Sequence, residues 1–160
     1  MIRRPPRSTQ GVSSAASDVY KRQDLLWGFI SRYAPGAGRD SHPMLDALVG
    51  YATNYYRDFV KPHKQYRNPT DKERAAMQDL LAALGCMEPG LSGSDIQNQV
   101  YEIGKAHEFE NLRNWFKALY EVLFGQSQGP RFGSFAALYG IEETANLIRR
   151  ALAGDDLTTE

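Results

Sequence analysis

Two stretches of the chain carry side chains that could recognise a ligand. In "KPHKQYRNPT", residues 61–70, Lys61, His63, Lys64, Tyr66 and Arg67 crowd a polar link. Basic groups interleaved with an aromatic ring can pair with phosphates while the ring stacks on an unpaired base. In "GQSQGPRFGSF", residues 125–135, three glycines, a proline, an arginine and two phenylalanines separate two helical segments. Pro130 suits a first helical position, which would leave the amides of Arg131, Phe132 and Gly133 open to an anion. Arg131 could clamp a phosphate or stack on a base. On residue types alone, a solvated linker and a tight inter-helix turn remain open for the two stretches.

Catalytic signals are poor. His42, His63 and His107 stand far apart and form no metal-ligand spacing. Cys86 is the single cysteine, which excludes a disulfide framework and a cysteine zinc cluster. It has no nearby basic group to activate it. Glu142 and Glu143 read as partners of a helix N-terminus, not as an acid/base pair. There is no Walker-type phosphate loop and no dinucleotide fingerprint.

The net charge of zero hides an asymmetry. Of 19 basic and 19 acidic residues, five (Arg3, Arg4, Arg7, Lys21, Arg22) and one (Asp18) fall within residues 1–23. The remaining 14 and 18 give the rest a net charge of −4. Non-specific nucleic-acid binders are strongly basic, so any nucleic-acid role here needs a local patch. No apolar run approaches the ~18 residues of a membrane span.

The elements that must position these groups all read as helix. "MIRRPPRSTQGVSSAASDVYKRQ", residues 1–23, lacks apolar periodicity and resembles translated sequencing-adapter sequence. It is expected to be disordered, with a longer natural chain upstream of Asp24. Residues 24–153 are expected to form the folded domain and 154–160 a flexible tail. Leu25, Trp27 and Phe29 are the apolar side chains that a truncation at Asp24 would leave uncovered. Ser41 is a candidate N-cap before Pro43, and Pro62 should end the following helix near Lys61. Thr70 with Glu73, and Ser94 with Gln97, match the capping-box pattern. Gly85 and Gly125 are candidate helix stops. Trp115, Phe116, Leu119 and Leu123 share a core face, with Lys117 turned to solvent. Period-two alternation is missing, so the expected fold is an all-α bundle of about six or seven helices.

The wording of several segments is specific. "DLLWGFISRYAPG", "YYRDFVKPHKQYRNPTDKERAAMQDL" and, above all, "WFKALYEVLFGQSQGPRFGSFAALYG" resemble the C-terminal region of class I, archaeal-type lysyl-tRNA synthetase. The resemblance covers residues 24 to about 152. It implies an α-helix-cage domain that engages the anticodon of lysine tRNA. It also implies a parent enzyme that activates lysine with ATP and Mg in the cytoplasm and charges that tRNA in translation. The family's HIGH-like and KMSKS-like signatures are missing, so no catalytic residue is carried over. No cofactor is expected in this part, which alone should be inactive. The expected partners are lysine tRNA and the catalytic domain of the same polypeptide, with neither DNA nor membrane. The tRNA-contacting candidates, chosen by residue type, are Lys61, Lys64, Tyr66, Arg67, Lys117, Gln126, Gln128, Arg131 and Phe132. The alternative is a free-standing helical protein-interaction module.

Overall fold

A computed structural model of the chain describes residues 10–159. Seven α-helices follow one another: α1 (Gln10–Tyr33), α2 (Pro43–Tyr55), α3 (Asp71–Gly85), α4 (Gly93–Ala106), α5 (Leu112–Leu123), α6 (Phe132–Tyr139) and α7 (Ile141–Ala153). No strand occurs among the described residues, and the all-α expectation holds. The chain divides into two compact units, the first ending at Phe59 and the second beginning at Val60.

The first unit pairs α1 with α2. Trp27 is buried, and its indole Nε1 donates to Asp46 Oδ1 at 2.9 Å. Leu25 and Phe29 are half-buried, so this face is not the exposed one expected. Helix α1 also runs through Asp24: it begins at Gln10, within the stretch expected to be disordered, and residues 1–9 lie outside the described residues. Ser41 does not cap α2. Its hydroxyl closes the preceding turn on Gly38 and bonds to His42 Nδ1 at 2.8 Å, and His42 takes the N-cap position with no side-chain bond to the helix. After α2 the backbone stays helical through a π-turn, Tyr56–Val60, and a 3-10 turn, Lys61–His63. Pro62 sits in the first positions of that turn, where its missing N–H leaves no bond unmade.

The second unit holds the main core. Met77, Leu80 and Leu84 of α3, Ile96 and Val100 of α4, Trp115, Leu119 and Leu123 of α5, Phe132 of α6 and Ile148 of α7 meet in one apolar cluster. Each such side chain, fully buried, contributes about 1.5–3 kcal/mol. Trp115 Nε1 donates to Val100 O at 3.0 Å, so its polar atom is satisfied inside the core. Thr70 and Glu73 form the expected capping box of α3. The box of α4 is Ser92 with Asp95, not Ser94 with Gln97. Gln97 is buried because α6 passes over α4, and its Oε1 accepts from Gly133 N at 2.7 Å. The two backbones touch there: a Cβ on Gly133 would lie 2.0 Å from Gly93 O. Helix α3 ends at Gly85, the expected stop, with Cys86 as its C-cap, and the positive φ of the loop that follows, +94°, belongs to Gly90. The segment expected to be a flexible tail bears Leu157, which is buried in the core cluster.

Candidate nucleic-acid interface

Helix α5 ends at Leu123, and Gly125 turns the chain with φ +66°. This turn meets the link that precedes α3. Gln65 N donates to Gly125 O at 2.9 Å. A Cβ on Gly125 would sit 3.0 Å from the Tyr66 ring, so only glycine allows this approach. Further along, Tyr120 OH donates to Pro130 O at 2.7 Å, and its ring leaves no room for a side chain at Gly129. Burial holds the Tyr120 phenol above its ordinary pKa, with Tyr101 adding to the shift, so it stays protonated as a donor. The loop after α5 is therefore fixed at both ends by tyrosines.

Between the two segments lies an open groove of about 750 Å³, lined by His63, Gln65, Tyr66, Arg67, Glu121, Gly125, Gln126, Ser127 and Gln128. Its volume is in the range of ligand-binding clefts. The fold thus unites four of the sequence candidates: Tyr66, Arg67, Gln126 and Gln128. Lys64 borders them, with Nζ 5.8 Å above the Tyr66 ring. Lys117 joins through Glu121, 3.6 Å away. Lys61, Arg131 and Phe132 are not in the lining.

Arg67 is not a free phosphate ligand. Its Nη1 and Nη2 donate to Glu73 at 2.7 and 3.0 Å, its Nε donates to Glu121 at 2.6 Å, and Nη1 also reaches Asn68 O. The hydrogen bonds to Glu73, helped by Glu121, raise the guanidinium pKa against the opposing effect of burial. Glu121 is lowered, first by its bond to Arg67. Burial pushes Glu73 up, but Arg67 and the Thr70 amide and hydroxyl outweigh it, and the net shift is down. Arg67 and Lys117 thus balance Glu73 and Glu121 within one charge cluster. The polar groups added by the lining are chiefly neutral: the carboxamides of Gln65, Gln126 and Gln128 and the Ser127 hydroxyl. Each carboxamide carries both donors and an acceptor, as the edge of a nucleobase does.

The expected anion cradle at α6 is corrected in three places, the first being that the helix does not start at Pro130. Phe132 is fully buried and offers no face to a base. The Gly133 amide is already bonded to Gln97. Helix α6 begins at Phe132, with Arg131 as N-cap residue and no side-chain cap. The Arg131 side chain is exposed. Among residues the sequence did not single out, Glu121 had one local signal, its i,i+4 spacing from Lys117. Gln65 and Ser127 had none beyond lying in the two chosen stretches. No group of residues suited to a metal ion is found among the described residues, nor a helix long and apolar enough to cross a membrane.

No protein-family profile matches the chain, and no solved structure matches it. Curated sequences do. Over 93% of its length the chain is 49% identical to the lysine–tRNA ligase of Roseobacter denitrificans, of which it covers 28%. It is 48% identical over 81% of its length to the lysine–tRNA ligase of Rickettsia bellii, and 43% to that of Rickettsia conorii, covering 25% of each. The chain spans about a quarter of the length of the curated relatives it matches, and that quarter is part of lysine–tRNA ligases.

Proposed function

We propose that this chain is the tRNA-engaging helical part of a class I lysine–tRNA ligase, working in the cytoplasm in translation. Lysine tRNA is its ligand, and the groove between residues 63–67 and 125–128 receives an unstacked anticodon base. ATP, Mg and lysine are handled by a catalytic domain in the same polypeptide, so the chain by itself does not activate lysine. It has no DNA or membrane partner. The observation that carries this reading is the convergence of the two stretches on one groove, with Arg67 and Lys117 balanced by Glu73 and Glu121 and three carboxamides in the lining. Such a groove suits a base edge better than a phosphate, because single-stranded bases are read through stacking and hydrogen bonds to exposed edges. The 42–49% identity to lysine–tRNA ligases supports the choice of tRNA.

Filter binding tests the proposal. The chain should hold lysine tRNA more tightly than the same tRNA with a substituted anticodon, and affinity should fall as salt rises. Equal binding of all tRNAs would overturn the anticodon role. Lysine-dependent pyrophosphate exchange by the chain alone would overturn the assignment of catalysis to another domain.

A further inference from the structure

Helix α2 carries an exposed apolar stripe. Met44, Leu48, Tyr51 and Tyr55 follow one another at spacings of four, three and four, which puts them on one helical face. They are 80%, 56%, 68% and 61% exposed. Phe59, 59% exposed, extends the stripe and stacks on Tyr55 with ring centroids 5.2 Å apart. The opposite face of α2 serves the first unit, through buried Val49 and Thr53 and the Asp46 bond to Trp27. Together the five side chains turn roughly 600 Å² outward, at the upper end of the largest apolar patch on an ordinary monomer.

The chemistry of the stripe points to a protein occupant. Helix α2 contains no lysine, arginine or histidine, and its single charge is Asp46; Arg57, in the turn that carries Phe59, is paired with Asp58 at 2.7 Å. Nothing on the helix can neutralise phosphates, so an RNA backbone gains little there. The area falls in the range of interfaces between domains of one chain, roughly 600–1,500 Å². A stable complex of free partners needs more, about 800 Å² on each side. A small apolar face suffices when a linker holds the partner at millimolar effective concentration. The relatives contain such a partner, since this chain matches only about a quarter of their length.

We infer that the α2 stripe is the seat of another domain of the ligase polypeptide. The inference rests on the functional reading above. A cysteine-labelling comparison tests it. Cys86, exposed in this chain, is first replaced by serine, and Leu48→Cys is then introduced. Maleimide labelling at position 48 is followed by peptide mass in two proteins. One is the chain alone; the other is the chain joined to the remaining part of the Roseobacter denitrificans ligase in place of its matching quarter. Labelling should be at least about tenfold slower in the joined protein. Equal rates overturn the inference. Slowing in the chain alone as its concentration rises would assign the stripe to a second copy, and slowing on addition of lysine tRNA would assign it to RNA; either overturns it. A joined protein without a cooperative melt also counts against docking. A folded joined protein that labels slowly but fails to charge lysine tRNA would sink the functional reading and leave the docking face standing.

Discussion

Replacing Arg67 with alanine removes the cation that ties the 61–70 link to the first turn of α3 and to α5. Its side chain is 36% exposed, against 13% for Glu73 and 23% for Glu121. A hydrogen bond to a charged group contributes about 1.5–3 kcal/mol when sheltered, and an exposed ion pair under about 1 kcal/mol. The full penalty of a broken buried pair, about 3–5 kcal/mol, does not apply. Glu73 keeps the Thr70 amide at 2.9 Å, and Glu121 keeps Lys117 at 3.6 Å. Solvent screening at Arg67 lowers the total further, and the expected loss is about 2 kcal/mol. For a cooperative unit of this size that is a fall of about 10 °C in Tm. The sign with pH follows from the carboxylates. Both are held below their ordinary value of 4.5, so the stability they contribute is full above it and lost as pH falls through their folded-state values. The gap between wild type and Arg67→Ala should therefore narrow in acid. Thermal melts by circular dichroism at neutral pH and near pH 3 measure both effects. A fall under about 3 °C, or the same fall at both pH values, would refute the latch.

Three further outcomes are expected. Gly133→Ala forces a methyl group against Gly93 O and the Gln97 backbone, and should cost about 3 kcal/mol or more in a urea titration. Thr70→Ala should cost about 1 kcal/mol, because Glu73 N loses its cap while the Arg67–Glu73 pair survives. Arg131→Ala should weaken lysine tRNA binding by about 1–3 kcal/mol without moving Tm, since the side chain is exposed. Unchanged binding would leave Arg131 as a turn residue alone.

Features that depend on near neighbours were legible in the sequence. The Thr70–Glu73 box is a reciprocal contact three residues apart, and it formed where the pattern placed it. The α5 core face followed from spacing, and the turn at Gly125 from the residue itself. Features decided by distant partners were not legible. Ser94–Gln97 fits the capping pattern as well as Ser92–Asp95 does. Gln97 is instead committed to Gly133, 36 residues away, and pattern alone cannot show that. Phe132 looked like a loop aromatic free to stack, yet α6 starts there and turns it into the core. Arg67 looked like part of a basic patch until Glu121, 54 residues on, joined Glu73 to neutralise it. The same convergence created the groove, so its polar but balanced character could not be read from either stretch alone.

The most direct test of the account compares anticodon discrimination in two proteins. Wild type and the double variant Gln126→Ala, Gln128→Ala are each titrated with lysine tRNA and with its anticodon-substituted form. Losing carboxamide hydrogen bonds worth about 0.5–1.5 kcal/mol each should cut the discrimination by about tenfold. The dependence on salt should stay unchanged, because no phosphate contact has been removed. Discrimination retained in the folded double variant would contradict the claim that this groove reads a base.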